Sequence, residues 1–300
     1  MSLITIRLAL QAAQKPGPDR LDRLDTQLLL LHALGKPESE RAWLLAHDDD
    51  LLEESVADAF FQFKARRAAG EPLAYIVGYK EFFGLRLAVD TRVLVPRPDT
   101  ETLVQWALDV LVGPAMPPRL QVLDLGTGSG AIALAVASNI ASNIASNMAQ
   151  RLPTADRSLV VTAVDASADA LAIARENARQ LGLDVQFIES HWFDEVSKTG
   201  ACYHVIVSNP PYIAAADLHL AALVHEPLRA LTAGRDGLDD IRQIIMQAPK
   251  HLHPGGWLLL EHAYDQSASV GKLLAERGFG QIQSRLDIAG IARCSGGQWG

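Results

Sequence analysis

The stretch that decides the fold is LQVLDLGTGSGAIALAVA, residues 120–137. Its first six residues are mostly apolar and predict a buried strand, and its last seven predict a helix. Gly126, Gly128 and Gly130 between them permit a sharp turn and let a ligand approach the backbone. A glycine loop between a strand and a helix is typical of cofactor-binding sites, and free N–H groups at the helix start would receive a polar ligand group.

Apolar strands and helices continue to alternate after this loop. Nearly continuous apolar strands in that setting predict an α/β fold with a mostly parallel sheet covered on both faces. The predicted elements are strands at Leu159–Val164, Val185–Ile188, Val205–Val207 and Trp257–Leu260, a helix at Ala168–Leu181 and a last pair of strands within Gln281–Arg293. The repeat SNIASNIASN at 138–147 is interpreted as a surface insertion that extends the first helix or the loop after it.

The residues before this region have a different character. Leucines at 21, 24, 28 and 31 recur with helical spacing, and further helices are predicted at Arg41–His47 and Glu53–Ala69. Aromatic and β-branched residues alternate with polar ones in 71–100, which predicts a β-hairpin, and Thr100 is a candidate cap for a following helix. We expect a helical bundle at 1–75, a hairpin linker at 76–100 and the α/β domain at 101–300.

Composition excludes several functional classes. The net charge is −8, and neither residues 1–80 nor the rest of the chain carries an excess of basic side chains, so stable nucleic-acid binding is not expected. Two cysteines form neither a disulfide framework nor a metal cluster, and His251, His253 and His262 are interpreted as ordinary residues, so no metal is expected. No signal peptide is evident, and the apolar runs fall short of the roughly 20 residues that span a bilayer. A cytoplasmic protein without membrane contact is the expectation.

Asp165 ends the second predicted strand of the α/β region. An acidic residue at this place commonly accepts hydrogen bonds from ribose hydroxyls. Its separation from Gly128 exceeds the usual offset of about 20 residues, because the SNIA repeat lies between them. An acid that stabilises the N-terminus of the next helix is the alternative.

Asn209-Pro210-Pro211-Tyr212 follows the strand Val205–Val207 and is the most specific signal in the chain. The two prolines fix φ and present carbonyls without N–H groups of their own. Asn209 adds a side-chain acceptor at the edge of a parallel sheet where such folds bind ligands. Converging acceptors suit a substrate –NH₂ group, against which Tyr212 would pack. A merely rigid loop is the alternative.

Together, DLGTGSG, AVD and SNPPY resemble S-adenosylmethionine-dependent methyltransferases that modify a planar amine or amide nitrogen. The flanking sequences narrow the resemblance to the HemK/PrmC family, the protein-(glutamine-N5) methyltransferases of peptide chain release factors. They are GEPLAYIVGYKEFFGLRLAVDTRVLVPRPDTE, SHWFD, HEPLRAL and DIAGIARCSGG. The resemblance implies a Rossmann-like class I methyltransferase domain with a mostly parallel seven-stranded sheet.

The resemblance also implies roles for individual residues. Catalysis falls to Asn209 and Pro210, and the glutamine amide is held by Asn209, Pro210, Pro211 and Tyr212. The S-adenosyl-L-methionine contacts fall to Gly126, Thr127, Gly128, Ser129, Gly130, Asp165, Trp192 and Asn209. Two departures stand out: His191 occupies a place that is commonly acidic in the family, which puts adenine contacts there in doubt, and the SNIA repeat is foreign to the pattern.

The expected function is methyl transfer to the side-chain amide nitrogen of the glutamine in the Gly-Gly-Gln motif of release factors. We expect a monomer whose helical bundle contacts the release factor. A DNA adenine or cytosine amino-methyltransferase and a non-catalytic cofactor-binding module are the alternatives, disfavoured by the acidic charge and by the intact motifs. The chain carries Gly296-Gly297-Gln298 itself, which we interpret as a terminal turn.

Overall fold

The computed structural model describes residues 4–113, 116–149 and 158–300. The chain divides into two compact units, which are Met1–Tyr79 and Lys80–Gly300. Residues 80–100, predicted to belong to a linker, are part of the second unit. The role of residues 1–75 in recognising a protein substrate stays a prediction.

Helices make up the first unit. They are α1 (Ile6–Gln14), α2 (Arg23–Ala33), α3 (Arg41–Ala46), α4 (Glu54–Ala68) and α5 (Leu73–Val77). The hydroxyl of Thr5 accepts the N–H of Leu8 and so caps α1. The predicted leucine face is partly wrong, because α2 begins after Leu21 and leaves Leu24 exposed, whereas Leu29–Leu31 lie in the core.

A short helix replaces the beginning of the predicted hairpin. Pro72 precedes α5, and Gly78 ends it in the left-handed conformation at φ 83°. The hairpin itself is formed by β1 (Tyr79–Phe82) and β2 (Leu85–Ala88). The aromatic and β-branched run therefore divides into a helical turn and a hairpin because glycine allows a break at position 78.

The second unit is built on a seven-stranded sheet. The strands of this sheet are β3 (Arg119–Leu125), β4 (Ser158–Asp165), β5 (Gln186–Glu189), β6 (Tyr203–Ser208), β7 (Leu252–Glu261), β8 (Gly280–Leu286) and β9 (Ala292–Gln298). They lie in the order β5-β4-β3-β6-β7-β9-β8, parallel from β5 to β7 and antiparallel at β9 and β8. The predicted α/β class is confirmed. A final strand pair is present as predicted, but its second strand, β9, begins at Ala292 and so lies almost wholly beyond the predicted range of Gln281–Arg293.

Helices cover both faces of this sheet. They are α6 (Glu101–Leu111), α7 (Ala131–Ala149), α8 (Ala168–Leu181), α9 (Val196–Thr199), α10 (Asp239–Gln247) and α11 (Ser267–Arg277). Trp106 of α6 and Ile132 of α7 pack with Val122 on one face, whereas Ile241 of α10 packs with Leu123 on the other. Adjacent residues of β3 therefore serve opposite cores. The SNIA repeat lies within α7, as one of the two predicted alternatives requires.

The chain order reverses between β3 and β6, which lie side by side at the centre of the sheet. In open α/β sheets such a reversal leaves a crevice at the carboxyl ends of the strands, where ligands bind. The glycine loop follows β3 and Asn209 follows β6, so both predicted motifs open into this crevice.

The interpretation of Gly296-Gly297-Gln298 as a terminal turn is wrong, because the tripeptide lies in β9 and pairs with β7. A Cβ added at Gly296 would lie 2.6 Å from the carbonyl oxygen of Leu258, so the strands approach closely only with glycine there. The amide of Gln298 donates to the carbonyl of Gly255 at 2.9 Å and accepts from Gln281 at 2.6 Å. The tripeptide is accounted for by sheet packing.

Two features are absent from the described residues. Within 4–113, 116–149 and 158–300, no helix combines the length and the hydropathy needed to cross a membrane. The same residues contain no group of three or more His, Cys, Asp or Glu side chains placed to hold a metal ion.

Candidate active site

A cavity of about 300 Å³ lies at the carboxyl edge of β3, β4 and β6. This volume falls at the lower end of the range for small-molecule sites. The lining brings together residues that are far apart in the sequence but were predicted to share a site: Gly126, Gly128, Asp165, Trp192, Asn209 and Pro211. Convergence of the glycine loop, the acid after β4 and the Asn-Pro-Pro segment on one cavity is what the motifs predict.

The glycine loop uses its own N–H groups for folding. Thr127 donates to the carbonyl of Val164 at 2.8 Å, and Gly130 donates to the carbonyl of Thr127 at 2.8 Å. Gly128 donates to Oδ2 of Asp165 at 2.9 Å. These three N–H groups are therefore not free for a ligand. A Cβ on Gly128 would meet no atom within 4 Å, so this glycine instead leaves open space for a ligand.

Asp124, the first residue of the motif, stabilises the glycine loop through hydrogen bonds. Its buried carboxyl accepts the hydroxyl of Thr127 at 2.7 Å and the N–H of Ala133 at 3.1 Å. Burial raises the pKa of this carboxyl to about 7. Thr127 and Ser129 are buried and do not line the cavity. Gly130 does not line the cavity either. Their direct contact with a cofactor stays a prediction.

Asn177 of α8 is a further support that sequence reasoning missed. Its Nδ2 donates to the carbonyls of Ser129 at 2.9 Å and Ala88 at 3.1 Å, and its Oδ1 accepts the N–H of Ala88 at 2.7 Å. This one side chain ties the glycine loop to the hairpin. No local pattern identifies it, because its partners lie 48 and 89 residues away.

Asp165 has the helix-stabilising role that the sequence left open as the alternative, and its contact with ribose hydroxyls stays a prediction. One carboxylate oxygen accepts the N–H of Gly128 and the other accepts the N–H of Ser167, the residue that caps α8, both at 2.9 Å. The carboxyl also lines the cavity. Burial raises its pKa, and the nearby guanidinium of Arg229 counteracts that rise. A carboxylate has about four lone-pair sites, so the two backbone bonds leave acceptors for a ligand hydroxyl.

Trp192 forms a flat apolar wall. Its backbone is left-handed at φ 47°, and its ring lies so close to Gly126 that an added Cβ there would be 3.3 Å from the ring. The indole Nε1 donates to Oδ1 of Asp240 at 3.1 Å, and burial raises the pKa of that carboxyl. His191 also lines the cavity. Asp240 thus places an acidic group beside Trp192 from another element, which the sequence did not reveal.

Asn209 is held by a residue 109 positions earlier. Its Nδ2 donates to the hydroxyl of Thr100 at 3.1 Å. The expectation that Thr100 caps α6 is wrong: its backbone is already helical at φ −64° and ψ −20°, and its side chain makes no capping bond. The hydroxyl serves the Asn-Pro-Pro segment instead.

The rest of that segment divides between the cavity and the core. Pro211 lines the cavity and Pro210 is buried. Tyr212 packs against the hydrophobic core, and its hydroxyl donates to Oε1 of Glu261 at 3.3 Å. Its ring is not among the cavity-lining groups, so its packing against a planar substrate stays a prediction.

Comparison with known proteins agrees with this geometry. The PrmC N-terminal domain family matches residues 6–78, and a methyltransferase domain family matches residues 118–287. The release factor glutamine methyltransferase of Bordetella pertussis is 46% identical over 279 residues, which cover 92% of this chain and 95% of that protein. The chain belongs to the release factor glutamine methyltransferase family. Relatives in this family from Burkholderia pseudomallei and Pseudomonas aeruginosa are 45% and 44% identical, over 96% and 99% of this chain and 95% and 99% of theirs.

Within a release factor glutamine methyltransferase, the cavity offers two kinds of recognition. Asp165 and the open space at Gly128 suit a ligand with hydroxyls and close backbone contact, and Trp192 suits a flat ring. Asn209 lines the same space. A donor molecule and an –NH₂ acceptor can therefore meet in one cavity.

Proposed function

We propose that this protein transfers a methyl group from S-adenosyl-L-methionine to the side-chain amide nitrogen, N5, of the glutamine in the Gly-Gly-Gln motif of peptide chain release factors. The observation that carries the proposal is the single cavity that unites Gly128, Asp165 and Trp192 with Asn209. The name shared by the relatives that match more than nine-tenths of the chain supports the substrate.

The cofactor-binding half is assigned as follows. The carboxylate of Asp165 accepts the ribose hydroxyls, and the Trp192 ring packs on the adenine. Because His191 stands where the family commonly has an acid, we assign the polar edge of adenine to Asp240, which lies beside Trp192 in the cavity. The open space at Gly128 admits the part of the cofactor that joins ribose to sulfur.

S-adenosylmethionine supplies an electrophilic methyl group on its sulfonium when it is bound. The amide nitrogen is a weak nucleophile, because its lone pair is delocalised into the carbonyl. Asn209 Oδ1 and the Pro210 carbonyl accept hydrogen bonds from the two amide N–H groups and so orient the nitrogen. When the nitrogen takes the methyl group, the electron pair of the broken S–C bond stays on sulfur, and one of the two amide protons is released to solvent. Positioning can lower a barrier by roughly 7–11 kcal/mol in favourable cases, and acceptors that strengthen as positive charge grows on nitrogen add electrostatic stabilisation.

The segment after Tyr212 carries apolar side chains that suit a protein substrate. Leu218, Val224 and Leu228 are exposed, at 90%, 73% and 62%. Pro227 and Arg229, in the same segment, line the cavity. We assign this surface, together with the helices of residues 1–75, to contact with the release factor, because exposed apolar groups beside a reaction site mark protein contacts.

The proposal also covers the oligomeric state, the cellular compartment and the binding of nucleic acid. We propose a monomer as the active unit. Its described cysteines, Cys202 and Cys294, are unpaired with each other, which suits the reducing cytoplasm where translation terminates. The acidic charge supports action on protein without stable binding of nucleic acid.

A labelling experiment separates the proposal from its alternatives. The protein is incubated with tritiated S-adenosylmethionine and either a purified release factor or duplex DNA, and calorimetry measures cofactor binding in parallel. Label in the release factor alone is the expected result. Label in DNA would favour an amino-methyltransferase of bases, and cofactor binding without label in either would favour a binding module.

A further inference from the structure

Residues 213–232, here called the strap, follow the Asn-Pro-Pro segment and supply part of the cavity wall. The two ends of the strap meet: Ile213 donates its N–H to the carbonyl of Leu231 at 2.9 Å, and its own carbonyl accepts the N–H of Ala233 at 3.0 Å. Between these ends the strap consists of turns and short 3₁₀ helices. Its residues that line the cavity are Pro227, Arg229 and Ala230. Side-chain contacts must hold this part of the strap in place, because its regular backbone bonds are few.

The carboxylate of Glu226 makes the first of these contacts. The Glu226 side chain is 2% exposed. Its Oε2 accepts the N–H of Val95 at 3.1 Å, and its Oε1 is paired with the guanidinium of Arg97. Val93 and Leu94, directly before these partners, also line the cavity. Glu226 therefore links two parts of the cavity wall, and the charge of Arg97 compensates the cost of burying the carboxylate.

Arg229 makes the second contact. Its guanidinium donates to the hydroxyl oxygen of Ser167, which lines the cavity and caps α8. The strap is thus held at positions 226 and 229, and the lining residue Pro227 lies between them. Glu226 itself is not among the lining residues. Its carboxylate therefore acts on the cavity only by fixing the residues that follow it.

We propose that Glu226 is a positioning residue, which holds the strap in the conformation that binds S-adenosylmethionine. The identity of the ligand rests on the proposed function, whereas the link from Glu226 to Val95 and Arg97 is a property of the protein alone. When the link is broken, only the fraction of molecules with the strap in place binds the cofactor. The apparent Kd then rises by the inverse of that fraction.

A glutamine at position 226 keeps the size of the side chain but cannot serve both partners. Its single oxygen accepts from Val95 or from Arg97, and its NH₂ group then faces the other donor. By calorimetry, we expect Glu226→Gln to raise the Kd for S-adenosylmethionine about tenfold, since a hydrogen bond to a charged group is worth at least that factor. Glu226→Asp retains the charge on a shorter side chain, so its Kd should lie between the two. At saturating cofactor the rate of methyl transfer should fall much less than the affinity, because the reacting groups are unchanged.

Asp287→Asn is the matched control for the loss of a buried charge. The Asp287 side chain is also 2% exposed, accepts the N–H groups of Ala289 and Ile291 and pairs with Arg293, but it does not line the cavity. Both variants should lower the melting temperature, and only Glu226→Gln should weaken cofactor binding. A wild-type Kd in Glu226→Gln, or an equal rise of the Kd in Asp287→Asn, would overturn the proposal.

A double substitution tests whether Glu226 acts through its pair with Arg97. Arg97→Met leaves the carboxylate buried without its cation, so this variant should also raise the Kd for the cofactor. Combining it with Glu226→Gln should add little to the larger single effect, since residues that act as one unit are not additive. A rise equal to the product of the two single effects would contradict a shared role.

Hydrogen exchange tests the link without any ligand. In the free protein, we expect backbone amides in peptides covering 93–97 and 226–232 to exchange about tenfold faster or more in Glu226→Gln than in wild type, and at the wild-type rate in Asp287→Asn. Unchanged exchange in Glu226→Gln would overturn the proposal even if the enzyme methylates release factors. If the wild type binds no S-adenosylmethionine but the exchange differs as expected, the proposed function fails and the link between Glu226 and the strap stands.

Discussion

Replacing Asn209 with alanine should slow methyl transfer by about 10²–10³-fold while the fold and most of the cofactor affinity persist. The side chain follows β6 on a loop at the carboxyl edge of the sheet and lines the cavity. In the proposed mechanism it is one of two acceptors that hold the substrate amide. Its removal leaves the Pro210 carbonyl to do so alone.

The structure separates the cost to stability from the cost to the reaction. Asn209 contributes one partly buried hydrogen bond to the fold, to Thr100 at 3.1 Å, and such a bond is worth about 0.5–1.5 kcal/mol. The predicted loss of rate corresponds to about 2.7–4 kcal/mol of barrier, as for the removal of a comparable charge-stabilising donor in another enzyme. An effect on rate that exceeds the effect on stability therefore identifies a role in the reaction.

Single-turnover methylation of a release factor at saturating cofactor measures this rate directly, with calorimetry and thermal melting as controls. Asn209→Asp should fall between wild type and alanine, because the carboxylate keeps an acceptor of nearly the same shape but adds a negative charge. Equal rates for Asn209→Ala and wild type would refute the claim that Asn209 orients the nucleophile.

The remaining predictions concern the cofactor, the first unit and pH. Asp165→Ala should weaken S-adenosylmethionine binding about tenfold or more, because a hydrogen bond to a charged group is worth about 1.5–3 kcal/mol; an unchanged Kd by calorimetry would remove Asp165 from the site. A variant that begins at Glu71 should still bind cofactor but methylate an intact release factor poorly, and full activity would leave residues 1–70 a structural role only. Because burial raises the pKa of Asp124 to about 7, the folded state binds its proton more tightly than the unfolded chain, and stability is lost as the pH rises. Urea unfolding should show about 3 kcal/mol less stability from this group at pH 8 than at pH 5, and Asp124→Asn should abolish that difference; an unchanged pH dependence in the variant would show that Asp124 is not responsible.

Patterns of neighbouring residues were enough to predict most strands and helices of the α/β region. Apolar runs and glycine identified the β3–loop–α7 unit, and the side-by-side parallel strands then required the glycine loop and Asn209 to meet at one edge. The strand that contains Gly296 was missed, because glycine has low strand propensity and only the close approach of Leu258 explains its presence.

Long-range hydrogen bonds were beyond the reach of sequence reasoning. The bond from Asn209 to Thr100 and those from Asn177 to Ser129 and Ala88 join elements that only the tertiary fold brings together. The fate of the loop N–H groups was likewise undecided, since Gly128 finds its acceptor in Asp165, 37 residues later. Sequence therefore indicated which residues form the site, and the structure showed which of them hold the others in place.

The central claim is that the Asn-Pro-Pro segment presents a glutamine amide to the methyl donor. Peptide mass mapping of a purified release factor, after incubation with this protein and labelled S-adenosylmethionine, tests that claim most directly. We predict a single added methyl group on the side-chain nitrogen of the glutamine in Gly-Gly-Gln, and its strong reduction with Asn209→Ala over the same incubation. A methyl group on any other residue, or an unmodified glutamine despite measured cofactor binding, would contradict the account.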